Sequence, residues 1–363
     1  MNNFIDEFRN TELTRKAAAK LSEYKGRPVK IMEVCGTHTM SIFKYGIRDM
    51  LPENVHLISG PGCPVCVTPV SFIDSAVELS AMENVIITTF GDLMRVPGST
   101  SSLLSERAKG RDIRIVYSPL DAVMLAKNNP GKKIVFLSVG FETTTPVAAL
   151  SVLKAKEMGL DNFMLLTANK TMPEVLKTLA ASGDVEIDGY LYPGHVSSIT
   201  GVGIYYELAE KSGISGVITG FEPLDILQGI ATLINNIDQG KTLVSNAYKR
   251  AVRQEGNPIA VEKLYEVFEP CDSVWRGIGT VKDSGLKIRD KYSSFDAAKV
   301  FNLVNKNVQE PKGCLCGEIL KGTKIPPSCS LFGKRCTPEN PVGACMVSSE
   351  GTCAAYYKYG GTR

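Results

Sequence analysis

Residues 29–40 read VKIMEVCGTHTM, an apolar β-branched run that ends at a Cys-Gly pair and continues in residues suited to the start of a helix. Gly36 gives the tight backbone passage that a strand-to-helix turn requires. The pattern recurs along the chain. Strands are expected at 29–34, 54–59, 84–89, 112–117, 133–139, 162–168, 188–193 and 215–220, with helical stretches such as 71–82, 120–128, 146–158, 172–182 and 222–236 between them. Short strands buried on both faces and separated by helices predict an α/β fold with mostly parallel sheets.

Four polar motifs each follow an expected strand: VCGTHTM (34–40), GPGCPVC (60–66), GFETTTP (140–146) and PGHVS (193–197). In open parallel sheets the carboxyl ends of the strands carry the ligand site, so the four should converge. Cys35 and His38 lie three apart on a turn whose free amide groups can favour a thiolate, which makes Cys35 a candidate ligand or nucleophile. A buried inert thiol beside a satisfied histidine is the alternative. Cys63 and Cys66 form a C-x-x-C around Pro64, a spacing that suits a reversible dithiol or two metal ligands. Half a zinc knuckle would have the same spacing but lacks its partner pair. His195 sits at a glycine-led turn at a strand end. Glu142 opens a helix whose threonines can act as caps, so the carboxylate is the functional candidate there.

A shift of 132 residues aligns Met32 with Met164, Thr39 and Met40 with Thr171 and Met172, and Pro61 and Gly62 with Pro193 and Gly194, which sets Cys63 opposite His195. At a shift of 131, Ile87, Thr88 and Phe90 meet Ile218, Thr219 and Phe221. This predicts two similar parallel-sheet α/β domains, 30–129 and 130–245, facing each other across a cleft that holds the motifs. Ahead of them, Phe4, Ile5, Phe8, Leu13, Ala17 and Leu21 mark an amphipathic helix over 3–24, within a segment 1–29. A helical, cysteine-rich domain over 246–363 follows them.

Six of the ten cysteines fall in the last 50 residues, at Cys314, Cys316, Cys329, Cys336, Cys345 and Cys353. Glycines and prolines between them preclude long helices or strands, so something other than an apolar core is expected to order this tail. A disulfide framework needs an oxidising compartment. Zinc favours C-x2-C knuckles, whereas the tail offers C-x-C and long gaps. A thiolate-rich site without that pairing suits an iron-sulfur cluster better. Cys271 lies outside every motif and reads as structural.

Composition is that of an ordinary soluble protein, with 44% hydrophobic and 22% charged residues among 363. Lys plus Arg number 41 against 38 Asp plus Glu, with no basic block, which speaks against nucleic acid or an acidic membrane surface as partner. The N-terminal residues lack the pattern of a secretory signal, and no stretch approaches the roughly 18 apolar residues of a membrane span, so a cytoplasmic location is expected. No Walker-type phosphate loop is present.

Taken together, VCGTHT, GPGCPVC, GFETTTP, PGHVS and the cysteine-rich tail resemble the HypD family of [NiFe]-hydrogenase maturation factors over nearly the whole chain. The resemblance implies a redox-active assembly scaffold rather than a conventional turnover enzyme. It would hold an iron ion with a small HypC-type chaperone while two cyanides and one carbon monoxide are attached, forming Fe(CN)2CO. Cyanide would arrive from a HypE-type partner as a thiocyanate. The resemblance further implies that Cys35 ligates the iron being assembled, that Cys314, Cys329, Cys336 and Cys353 hold a [4Fe-4S] cluster, and that Cys316 and Cys345 form a redox disulfide beside it. Two other classes compete with this reading. One is a general iron-sulfur thiol-disulfide oxidoreductase, which would leave Cys35, His38, Glu142 and His195 with little to do. The other is a zinc-stabilised interaction module, which would be colourless.

Overall fold

The computed structural model describes residues 9–304, 308 and 310–360. All eight expected strands are present: β1 (Val29–Glu33), β2 (Val55–Ser59), β3 (Val85–Thr89), β4 (Ile113–Ile115), β5 (Lys133–Ser138), β6 (Phe163–Thr167), β7 (Gly189–Pro193) and β8 (Ser215–Thr219). The short β9 (Val244–Asn246) and the antiparallel pair β10 (Phe268–Trp275) and β11 (Gly279–Ile288) complete the set. The first helix spans Thr11–Ser22, capped by Asn10, whose side chain accepts from the amides of Glu12 and Leu13. The part of the expected helix before residue 9 lies outside the described residues.

The strands form two parallel sheets, ordered β2-β1-β7-β8-β9 and β4-β3-β5-β6. Their membership does not divide at residues 129/130. The chain lays down β1 and β2, leaves to build the whole second sheet, and returns for β7 to β9. The repeat also pairs the wrong strands. At a shift of 132, β1 and β2, which are neighbours, fall opposite β6 and β7, which belong to different sheets. The shared Pro-Gly and Met-Thr positions reflect common strand-to-helix punctuation rather than duplicated units. The similarity is one of winding: in each sheet the first strand has the second on one side and the third and fourth on the other. Each sheet therefore has a topological switch point, between β1 and β7 and between β3 and β5.

Sequence pattern accounts for the layers. β3, β7 and β8 are buried along their whole length, as strands covered by helices on both faces must be. The helix Pro223–Asp238 lays Ile226, Leu227, Ile230, Leu233 and Ile234 against Ile31, Leu191 and Val217 of the first sheet. In the second sheet, Asn162 closes a turn by donating its side-chain amide to the carbonyls of Ala126, Asn129 and Lys132, each about 3.0 Å away or less.

The segment after residue 245 departs from expectation twice. Where helix was expected, the helix Pro258–Val267 leads into the β10–β11 hairpin, whose Trp275 stacks on Phe141 with ring centroids 5.8 Å apart. The tail, moreover, is not a separately ordered unit. Ile319, Leu320 and Met346 join Met32, Val34, Phe141, Tyr192 and Trp275 in one apolar core, so burial of these side chains helps to order it. The hairpin tip meets the tail backbone to backbone: a β-carbon on Gly277, which has φ +72°, would lie 2.0 Å from the α-carbon of Gly317. Gly317→Ala should force the two apart, at a cost of about 1–3 kcal/mol. Limited proteolysis is expected to cut the variant faster after residue 310 while its far-ultraviolet dichroism stays that of the parent; unchanged protease resistance would contradict this docking.

Candidate functional site at the strand ends

The first sheet's switch point lies between β1 and β7, and the two side chains that follow those strands face each other. Cys35 caps the helix Gly36–Lys44, and its Sγ lies 3.8 Å from Nδ1 of His195, which opens the helix Gly194–Thr200 after β7. The Cys35 amide donates to Glu33 Oε2 at 3.3 Å, and the Gly36 amide donates to the Gly62 carbonyl at 3.1 Å. A β-carbon on Gly62 would fall 2.2 Å from the Cys35 nitrogen, so only glycine lets the loop after β2 press against Cys35. That loop carries Cys63 and Cys66, which form a disulfide. Cys63 caps the short helix Pro64–Val67, its sulfur accepting from the Cys66 amide at 3.2 Å. Cys66 Sγ in turn lies 4.0 Å from the carbonyl of Ala344 in the tail. Three of the four motifs thus meet at one sheet edge.

The fourth motif reaches the same core from the second sheet. Phe141 packs with Cys63, Tyr192 and Tyr205 in the shared apolar core. Glu142 Oε1 accepts from the Met172 amide at 2.9 Å, while Oε2 is buried with no hydrogen-bond partner. The Tyr205 hydroxyl lies within electrostatic reach of both Glu142 and Cys35. His38 plays a different part from the one its spacing suggested. Its Nε2 donates to the Gly220 carbonyl at 2.9 Å, which fixes the tautomer and ties the helix to the end of β8. Phe221 stands beside both histidines, with ring centroids 4.9 Å from His38 and 5.2 Å from His195.

Burial sets the protonation states. It lowers the pKa of His38 and His195 to about 4, so both imidazoles are neutral near pH 7. Burial likewise pushes the Cys35 thiol up, reinforced by the charges of Glu350 and Glu33, and the opposing amides of His38 and Thr37 do not overcome it. The turn alone therefore does not supply the expected free thiolate. Glu142 is raised to about 7 by the same desolvation.

Sequence reasoning missed two carboxylates. Glu33, inside β1, is fully buried, accepts from Thr39 Oγ1 at 2.5 Å, and is raised to about 7 chiefly by burial. An acidic residue within an apolar strand was the available signal. Glu350 comes from the tail, accepts from Thr37 Oγ1 at 2.6 Å, and covers Gly36 so closely that a β-carbon there would lie 2.4 Å from its own. No local pattern announces it.

All six tail cysteines line one small apolar cavity together with Ile319, Leu331, Phe332, Gly343 and Met346. Cys314, Cys316, Cys345 and Cys353 form a chain of thiol contacts. Cys336 Sγ accepts from the Val342 amide at 3.3 Å, and Cys329 Sγ lies 3.9 Å from the Gly313 carbonyl. Cys316 and Cys345 are neighbouring free thiols rather than a disulfide. No three of these side chains close on a single point as ligands of one metal ion do, among the described residues. A cubane makes a different demand, because each cysteine binds a different iron and the sulfurs stand well apart around a common volume. The six cysteines share one apolar cavity from separate stretches of the tail, although Cys314, Cys316, Cys345 and Cys353 touch in series within it. Cys271 lies away from these groups, half-buried on β10.

Residues 11–360 match the HypD family model, described as "Hydrogenase formation hypA family". The hydrogenase maturation factor HypD of Rhodobacter capsulatus is 44% identical over 99% of both chains. That of Cupriavidus necator is 45% identical over 98% of this chain and 97% of its own, and that of Escherichia coli is 44% identical over 98% of both. The chain belongs to the HypD family of hydrogenase maturation factors. No helix among the described residues is long and apolar enough to cross a membrane.

Glu142 yields a pH test. Its folded pKa of about 7 lies above the ordinary 4.5, so the folded protein keeps a proton that the unfolded chain releases. That contribution is full below pH 4.5 and is lost as pH rises through 7, on the order of 3 kcal/mol in all. Glu142→Gln, uncharged throughout, should gain in thermal midpoint over the parent between pH 5 and pH 8. A constant gap between the two would show that the carboxyl titrates normally.

Proposed function

We propose that this chain is the redox-active scaffold on which the Fe(CN)2CO unit of a [NiFe]-hydrogenase is put together, in a reducing compartment such as the cytoplasm. The observation that carries the reading is the continuity of three thiol sites: Cys35 beside His195, the Cys63–Cys66 pair packed against the Cys35 turn, and the six-cysteine cavity reached through Ala344. Iron is the cargo in this account. A soft iron that will bind cyanide and carbon monoxide prefers thiolate, and Cys35 is the thiol at the switch point. A small HypC-type chaperone would share that iron, and a HypE-type partner would bring cyanide as a thiocyanate.

Releasing cyanide from a thiocyanate requires a thiolate to attack the sulfur: an S–S bond forms, the S–C bond breaks, and the electron pair leaves with cyanide. Cys63 and Cys66 are the candidates for that step. In their disulfide form they must first take up two electrons and two protons. Cys314, Cys329, Cys336 and Cys353 would hold a [4Fe-4S] cluster, which supplies electrons one at a time, with Cys316 and Cys345 as the adjoining dithiol. Glu142, raised to about 7, and the neutral His195 beside Cys35 would hold or release protons as the thiols change state. A general oxidoreductase would need only the C-x-x-C and an electron source, and would leave Cys35 and the His195 beside it with little to do.

Anaerobic purification should yield a brown protein with about four irons and four acid-labile sulfides per chain. Cys329→Ala or Cys336→Ala is expected to remove the colour and loosen the tail, whereas Cys66→Ser should keep it and block cyanide transfer. Full iron in the two alanine variants would refute the cluster assignment.

A further inference from the structure

Arg276, at the tip of the β10–β11 hairpin, is only 1% exposed. Its backbone amide donates to the Val67 carbonyl at 2.9 Å and its Nε donates to the Thr68 carbonyl at 2.7 Å, directly after the C-x-x-C. Both terminal guanidinium nitrogens are buried without a hydrogen-bond partner. The nearest carboxylate, Glu310, has Oε2 at 3.6 Å from one of them and is itself without a hydrogen bond at that atom. The next residue, Gly277, packs on Gly317, which places Arg276 beside the start of the helix Cys316–Leu320.

A guanidinium is always charged, and a buried charge persists only where opposite charge or dipoles compensate it. One carbonyl and one distant, partly exposed carboxylate are weak compensation. Across the Gly277–Gly317 contact beside Arg276 begins the tail helix at Cys316, and the tail cysteines become thiolates when they ligate metal.

We propose that Arg276 is the charge-compensating residue of the six-cysteine site: a positioning residue that stabilises its more negative redox state while clasping the C-x-x-C turn against it. This rests on the reading of the tail as a thiolate-held cluster. The step it biases adds one electron, from an external low-potential reductant, to that centre; no bond forms or breaks. Positive charge favours the form carrying the extra electron, and the Glu310 carboxylate opposes it.

Optical redox titration of the anaerobically purified full-length protein tests this, with Arg276→Gln, Arg276→Lys and Glu310→Gln. At the potential that half-reduces the parent, the reduced-to-oxidised ratio should fall roughly tenfold in the glutamine variant, stay within about threefold in the lysine variant, and rise in Glu310→Gln. Equal falls in both arginine variants, with no change in Glu310→Gln, would make Arg276 a packing residue and overturn the proposal. If Arg276→Gln does not fold, the partly exposed Glu310→Gln decides: a rise supports the proposal and an unchanged ratio overturns it. A parent protein without iron or acid-labile sulfide overturns the reading of the tail, and this inference with it. A brown parent whose Arg276→Gln and Glu310→Gln variants titrate like itself overturns the inference alone.

Discussion

Cys35 stands where three chain segments touch, and they touch because two of their residues have no side chain. Gly62 lets the loop after β2 lie on the Cys35 backbone, and Gly36 lets Glu350 of the tail close over the helix start. A methyl group at either place would overlap atoms at less than 2.5 Å. From this contact the rest follows. The C-x-x-C is brought beside Cys35, the tail is drawn onto the sheet edge, and its six thiols collect in a cavity under the same core. His195 arrives from the far side because β7 pairs directly with β1, in the register Ile31 to Gly189 through Glu33 to Leu191.

The second constraint is electrostatic. Glu33, Cys35, His38, Glu142 and His195 are all buried, and burial drives each toward its neutral form. The site therefore favours neutral groups, with two buried side-chain atoms, Nδ1 of His38 and Oε2 of Glu142, left without a hydrogen-bond partner and the Cys35 sulfur beside His195. A metal cation brought to such a place would reverse the balance that keeps the thiol protonated, since a coordinating thiol gives up its proton to the ion. This is a fitting environment for a thiolate needed only while iron is bound.

The sequence showed the βα units clearly, because buried parallel strands are continuous apolar runs and the eight predicted ones lie within one or two residues of those found. Their carboxyl-end motifs converge for the same reason. Pairing between distant strands was less legible. That β1 lies beside β7 and not in a self-contained first half depends on where the chain returns, which no local pattern encodes. The hairpin over 268–288 was missed because β10 buries only its ends, Phe268 and Trp275, with partly exposed and exposed positions alternating between them, and because its turn holds Arg276 and Gly277 rather than a tight-turn dipeptide. Glu350 and Arg276 were invisible as site residues, since each acts through a contact more than 200 residues away in sequence, with Thr37 and with Thr68.

The central claim is that the scaffold's iron is held at the switch point through Cys35. Infrared spectroscopy of the anaerobic protein together with the proposed HypC-type chaperone tests it most directly. The account predicts cyanide and carbonyl stretches in the parent protein that vanish in Cys35→Ser, while the visible absorbance of the tail cluster is unchanged. Undiminished stretches in that variant would contradict it and place the iron on other ligands.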